Sequence, residues 1–270
     1  MMSGTLFIQE KKGKSVTDRN VIGVVGGVGP YAGLDLVNKI LNNTAARSDQ
    51  EHLDVILMSF PGSIDDRTKY LLEGEGGNPA IQIAEIIKKM EKLGAYYIGI
   101  PCNTSHSPDI FKKIQSILHD SNSKVELVNM IEVLAQHISV EYSGAHKIGI
   151  LATNGTVETD AYRTYIEETG NKVIYPDKAE QALVHSSIYD KAFGIKSVSS
   201  PVSAKARRIL EESVEHLVRK GADIIVLGCT ELPLAIHEHE LNGYPIIDTT
   251  TILARELIKA QNKNLLKHGI

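Results

Sequence analysis

The sequence predicts an α/β protein made of two pseudo-symmetric lobes, each a four-stranded mostly parallel sheet flanked by helices, with a functional cleft between them. Three observations carry this expectation. Short β-branched runs alternate with longer stretches of helical period, the pattern of a parallel sheet with crossover helices. The length of 270 residues, against a soft prior of roughly 150 per domain, suits two small domains or one large α/β unit. The chain also repeats itself: VIGVVGGVGP (21–30) has a counterpart in KIGILATNGT (147–156), and AYYIGIPCNTSH (95–106) has one in ADIIVLGCTELP (222–233).

Residues 1–20 are mostly polar, end in Asp18-Arg19-Asn20 and lack the long apolar core of a signal peptide, so they are expected to be a loose N-terminal arm. The first lobe, 21–143, takes its strands from 21–26, 53–60, 96–100 and 125–128. Within it, residues 78–93 show why a helix is expected. Asn78 caps, Pro79 fits the first turn, Ala80, Ile83, Ala84, Ile87 and Met90 share a stripe, and Gly94 ends the run. EYSGAH (141–146) is the expected crossing point. The second lobe, 144–249, places strands at 147–152, 172–175, 223–228 and 245–247. A final helix within 250–270 is expected to pack back on the first lobe.

Composition excludes several function classes. A charged fraction of 23%, an apolar fraction of 42% and a net charge of -4 give no bulk attraction to nucleic acid or anionic lipid. Uninterrupted apolar runs fall far short of the ~18 residues that span a bilayer, so a cytoplasmic protein is expected. The two cysteines, far apart in sequence, rule out a disulfide framework and the common zinc spacings.

The stretch VIGVVGGVGPYAG (21–33) looks like a dinucleotide fingerprint: an apolar strand, then Gly27-x-Gly29-x-x-Ala32, then a helical run. Such a loop should be followed, roughly 20 residues on, by an acidic residue at the end of the second strand. Here Asp49 and Glu51 precede that strand, Asp54 starts it, and its end runs into Phe60-Pro61-Gly62. Pro30 also removes an N–H that a pyrophosphate would use. The glycines are better explained as a tight turn forming a cleft wall, and no nucleotide cofactor is expected.

Each cysteine closes the third strand of its own half, since the same interval, within one residue, separates Ile22 from Cys102 and Ile148 from Cys229. Ligands of open parallel sheets sit beyond the carboxyl ends of strands. Two lobes facing each other would bring Cys102 to one wall and Cys229 to the other. A lone cysteine at a strand end is by default a small buried hydrophobe. Structural equivalence argues for more, as do the polar residues that follow, Asn103-Thr104 and Thr230-Glu231, which put N–H groups and short donors beside each sulfur. Such a pair suits proton transfer at carbon. Inverting a stereocentre needs a base on one face and an acid on the other, roles that a thiolate and a thiol can exchange without a cofactor or metal. Asn103, Thr104 and Thr230 could stabilise the carbanion through its carboxylate.

GGVGPYA (26–32), IDDRT (64–68), PCNTSH (101–106), GIKS (194–197) and GCTELP (228–233) together resemble the cofactor-independent aspartate/glutamate racemases, most closely their aspartate branch. The resemblance covers Val21 to about Ala260. It implies two pseudo-symmetric lobes, an active site between them, Cys102 and Cys229 as the acid/base pair, and a homodimer. It also implies that Asn103, Thr104 and Thr230 hold the α-carboxylate while Arg67 and Lys196 meet substrate carboxylates. An arginine at position 67 favours a dicarboxylic amino acid, aspartate first. On their own residues, Arg67 beside Asp65 and Asp66 would be a surface ion pair and Lys196 a solvated lysine in a loop, 186–200, able to close over the cleft. His106 either tunes the thiolate or makes a structural hydrogen bond, and Glu231 serves the helix dipole or the chemistry. Alternatives are glutamate, a broader amino-acid set or a hydantoin as substrate, or a two-lobed amino-acid-binding protein without turnover.

Overall fold

The computed structural model describes residues 20–268, so the expected N-terminal arm, Asn20 apart, lies outside the described residues. The first sheet contains β1 (Val21–Gly26), β2 (Val55–Ser59), β3 (Ala95–Gly99) and β4 (Glu126–Val128), all parallel, in the order β2-β1-β3-β4. Ile22 of β1 stands between Val55 and Tyr97. All six residues of β1 are buried, as expected of a central parallel strand covered on both faces. Among the described residues five α-helices belong to this half of the chain: α1 (Pro30–Asn43), α2 (Arg67–Glu73), α3 (Ala80–Lys92), α4 (Pro108–Asp120) and α5 (Met130–Glu141).

Helix α3 forms for the reasons its sequence gives. The Asn78 side-chain oxygen accepts from the Ala80 N–H at 2.9 Å. The stripe Ala80, Ile83, Ala84, Ile87, Met90 is buried, each large side chain contributing about 1.5–3 kcal/mol. Gly94 then turns the chain with φ of 96°, a conformation that costs glycine little.

The second half supplies β5 (Lys147–Leu151), β6 (Lys172–Ile174), β7 (Ile224–Leu227), β8 (Glu240–Leu241) and β9 (Tyr244–Asp248), in the order β6-β5-β7-β9-β8. This sheet has five strands where four are expected. The addition, β8, is antiparallel to β9 and arises from a hairpin turn at Asn242-Gly243, whose φ values of 53° and 83° are those that Asn-Gly favours. The helices here are α6 (Asn154–Glu158), α7 (Arg163–Glu168), α8 (Lys178–Tyr189), α9 (Ala204–Arg219) and α10 (Thr249–Asn262).

Apolar side chains gather in three cores. One joins the two sheets, combining Ile22 and Val24 of β1 with Ile148 and Ile150 of β5 and with residues of α1, α5, α7 and α10. The others lie on the far faces, under α3 and α4 in one case and under α8 and α9 in the other. Helix α10 packs against α1, α5 and β3, its Arg255 Nη1 donating to Asn43 Oδ1 at 3.0 Å. Among the described residues no helix is long and apolar enough to cross a membrane.

The stretch 186–200 differs from expectation. Its first residues finish α8, and the rest folds back on that helix end. Ile195 N–H donates to Ser187 O at 2.9 Å and Lys196 N–H to Ile188 O at 3.1 Å. Carbonyls left over at the end of α8 thus anchor the turn, Ile195 is fully buried, and Lys196 is held by a packed segment rather than an open loop.

Candidate active site

Both cysteines lie just past the carboxyl ends of strands, Cys102 after β3 and Cys229 after β7, and each is 6% exposed. Their two turns touch: Thr230, beside Cys229, donates its hydroxyl to the carbonyl of Pro101, beside Cys102, at 3.1 Å. The parallel topology explains this placement, because both β3 and β7 end on the side where the two halves meet.

Arg67 opens α2 and is buried. Its neighbour Asp66 caps the helix by accepting from Lys69 N–H at 3.0 Å and takes the Tyr189 hydroxyl at 3.1 Å. Burial would raise the Asp66 carboxyl, but these hydrogen bonds with Arg67 and Lys196 hold it below the usual range. Arg67 does not spend its guanidinium on carboxylates. Nη2 donates to Val28 O at 2.6 Å and Nη1 to Asp65 O at 3.2 Å, while Nε is buried without an acceptor. Burial works against the charge on Arg67, yet facing Cys102, Tyr189 and Asp66 raises its value. Arg67 therefore faces Cys102, which favours the charged guanidinium.

Lys196 and Glu231 form the other wall. Lys196 Nζ lies 2.9 Å from Glu231 Oε1, the side chains being 24% and 7% exposed, and 5.3 Å from the Tyr189 ring centroid. The second oxygen, Oε2, accepts from Cys229 Sγ at 3.0 Å. Burial and the neighbouring Glu231 carboxylate push the Cys229 thiol well above its ordinary range, with Lys196 opposing. Glu231 itself is held low, since Lys196 and the Cys229 hydrogen bond outweigh its burial.

These side chains line a cavity of about 150 Å³ whose walls include Gly27, Gly29, Tyr31, Arg67, Lys196 and Glu231. Neither cysteine lines this cavity; Cys229 reaches it through its bond to the lining Glu231, and Arg67, another wall residue, faces Cys102. The glycine turn is a cleft wall, as its sequence suggests: a Cβ on Gly29 would stand 2.5 Å from Glu231 Oε1. A larger cavity, about 350 Å³, lies between α1 and the end of β9 and reaches neither cysteine.

Other expected site residues have structural ties. Asn103 donates to Thr249 Oγ1 at 3.3 Å and accepts from the Tyr162 hydroxyl. Thr104 shares hydrogen bonds with Thr153 and Thr156 at 3.1 and 2.9 Å. Their side chains thus bind the two halves together beside Cys102. His106 donates from Nδ1 to Cys102 O at 2.9 Å and stacks on Phe111. Burial pushes it down to about 4, so it is a neutral brace for the cysteine turn. Glu231 carries more of the site than its position after a strand suggests: it makes no capping bond to the 3-10 turn that follows. The signal was the carboxylate two residues beyond a strand-end cysteine. Tyr189 and its bond to Asp66 have no local sequence signal.

Fold and site together define a two-sheet α/β protein with two buried strand-end thiols and a cavity lined by Arg67, Lys196 and Glu231. The model of the Asp/Glu/Hydantoin racemase family matches residues 25–257, and the chain belongs to that family, as an amino-acid racemase. It is similar to the broad specificity amino-acid racemase RacX of Bacillus subtilis (strain 168), at 24% identity over 250 residues, covering 88% of this chain and 96% of the relative. Among solved structures it is similar to Picrophilus torridus aspartate racemase, with 29% identity, a TM-score of 0.75, and coverage of 90% of this chain and 94% of that one. An aspartate racemase homologue from Pyrococcus horikoshii OT3 gives 26% identity, a TM-score of 0.64, and coverage of 90% and 99%.

Proposed function

We propose that the protein interconverts L- and D-aspartate, with Cys102 and Cys229 as the acid/base pair on opposite faces of the α-carbon. The observation that carries this reading is the charge pattern of the cavity. Two cations, Arg67 and Lys196, face one carboxylate, Glu231, leaving one net positive charge for a substrate with two carboxylates and one ammonium. Arg67 Nε is the donor left free. A buried unsatisfied donor costs about 1–3 kcal/mol, a cost that a substrate carboxylate removes while taking the guanidinium fork. Similarity to an aspartate racemase supports the same substrate.

One sulfur, as thiolate, takes the α-proton: the Cα–H bond breaks and an S–H bond forms. The carbanion is stabilised by charge held at its carboxylate, where Arg67 and the polar turns carrying Asn103, Thr104 and Thr230 contribute. The other thiol then gives its proton to the opposite face, and the sulfurs exchange states.

Proton NMR in D₂O tests this with L- and D-aspartate and L- and D-glutamate, beside Cys102→Ser and Cys229→Ser. Loss of the α-proton signal from aspartate, abolished or made one-sided by either serine, is expected. Unaltered exchange in both variants would remove the two-thiol mechanism, and exchange confined to glutamate would replace the substrate.

A further inference from the structure

We infer that Glu231 fixes the substrate-free protein in one of its two protonation forms, with the proton held on Cys229. Cys229 is then the thiol that delivers a proton in the first turnover, and Cys102 the sulfur that accepts one. The catalytic meaning of this inference rests on the two-thiol reading above; the protonation state itself does not.

The geometry supplies the reason. Glu231 Oε1 is 2.9 Å from the Lys196 ammonium, and Oε2 is 3.0 Å from Cys229 Sγ. A carboxylate paired with a lysine stays ionised and has only acceptor oxygens, so the sulfur must be the donor in that contact. A thiolate there would place two anions side by side in a buried pocket. The charged and titratable groups facing Cys229 are Glu231, Lys196 and Tyr162. Tyr162 is neutral, Lys196 is committed to the carboxylate, and Glu231 touches the sulfur. Gly29 gives the carboxylate its place, since a side chain there would collide with Oε1.

Among the described residues no carboxylate stands at the first cysteine as Glu231 does at the second. Two positions after Cys102 comes Thr104, whose hydroxyl is bound to Thr153 and Thr156, and the charged partner of the Cys102 sulfur is the cation Arg67. The difference between Cys-Asn-Thr and Cys-Thr-Glu therefore makes the two thiols unequal. In the first turnover Cα–H breaks as Cys102 S–H forms, and Cys229 S–H breaks as the new Cα–H forms. The product form then holds the Cys229 thiolate beside Glu231 and recovers either by racemising the opposite enantiomer, whose α-proton goes to Cys229 while Cys102 gives its proton to the carbon, or by exchange with water in which Cys229 gains a proton and Cys102 releases one.

Because enantiomers have equal free energy, kcat/KM must be equal for the two whatever Glu231 does. Its influence belongs in kcat and KM taken separately. The test is alkylation of the full-length, substrate-free protein by iodoacetamide across a pH range, each cysteine being read by peptide mass spectrometry. The midpoint of each profile does not depend on accessibility. In the wild type, Cys229 is expected to titrate well above the ordinary thiol value of about 8.5. Glu231→Gln is expected to lower that midpoint by at least about one unit, a roughly tenfold faster reaction at neutral pH, with Cys102 unmoved, and to bring the kcat values of the two enantiomers together. A wild-type Cys229 midpoint at or below the ordinary value overturns the inference without any variant. So does an unchanged midpoint in Glu231→Gln, or one that moves together with Cys102. Aspartate exchange with an ordinary Cys229 midpoint would sink this inference alone, whereas a high midpoint without exchange on any of the four amino acids would sink only the aspartate reading.

Discussion

Replacing Lys196 by Met should destabilise the protein by an amount that can be worked out from Glu231. The pair is largely buried at 2.9 Å, and removing one partner of such a pair typically costs about 3–5 kcal/mol. Glu231 can limit this loss by taking up a proton. From its ordinary value of 4.5, neutralisation near pH 7 costs about 3.4 kcal/mol at about 1.36 kcal/mol per unit, so a loss of about 3 kcal/mol is expected at neutrality. In the wild type the Glu231 value is depressed, so its stabilisation is present above 4.5 and is lost as pH falls through the lower folded value. In Lys196→Met the sign reverses. The folded state then binds the proton more tightly than the unfolded chain, and the variant regains stability relative to wild type as pH falls from about 7 towards 5, where the loss should shrink to about 1 kcal/mol. Lys196→Met with Glu231→Gln removes both charges and should recover most of the loss. Urea unfolding of the three proteins at the two pH values is the assay. A loss independent of pH, or a double variant as unstable as the single one, would refute the buried-pair reasoning.

Arg67→Lys keeps the charge but not the fork that reaches Val28 O with Nε left for a ligand; it should lower kcat/KM for aspartate about 10-fold to 10²-fold, the worth of one charged hydrogen bond, and an unchanged value in steady-state assays would remove Arg67 from the substrate site. Gly29→Ala drives a methyl to within 2.5 Å of Glu231 Oε1 and should cost about 1–3 kcal/mol in overpacking and shift the Cys229 alkylation midpoint; a variant as stable as wild type would show that the carboxylate has room to move. Burial holds His106 down to about 4 against 6.5 free, so the unfolded chain takes up that proton first and stability should fall by up to about 3.4 kcal/mol as pH drops from 6.5 to 4. Ring signals of His106 that shift between pH about 6 and 7 in NMR titration would contradict this.

Much of the fold was legible because burial on both faces of a parallel strand leaves uninterrupted β-branched runs, and VIGVVG and IIVL are such runs in β1 and β7. Helix α3 was legible to within one residue of its start, since Asn78, the apolar stripe and Gly94 act locally: Pro79 takes the cap position and Asn78, one residue earlier, accepts from Ala80 N–H. Strand β8 was not, although Asn242-Gly243 is a strong hairpin signal: two residues of strand leave no alternation to detect. The position of the cysteines followed from the internal repeat, which is a long-range property printed in the sequence. The state of the site around them did not. Arg67 beside Asp65 and Asp66 suggests a surface ion pair, and only the tertiary fold turns its guanidinium inward to the carbonyl of Val28. The segment after α8 looked like a polar loop because its glycine, serines and lysines are the residues of loops. Its bonds to leftover helix carbonyls are what pack it.

The glycine turn shows how one short motif can serve a different ligand chemistry from the one its spacing suggests. A φ of 83° at Gly27, with the backbone of Phe60 and Pro61 under 3 Å from where a Cβ would stand, lets the turn lie against the end of β2. In that position Val28 O accepts Arg67 Nη2, and the bare Gly29 faces the Glu231 carboxylate. A phosphate-binding version of the loop directs N–H donors at an anion; here a carbonyl anchors a cation from one half of the chain while a missing side chain admits an anion from the other. The turn thereby holds Arg67 against one thiol and Glu231 against its counterpart, and the same substitution-sensitive contact, Gly29 with Glu231, ties the shape of the cavity to the protonation of Cys229.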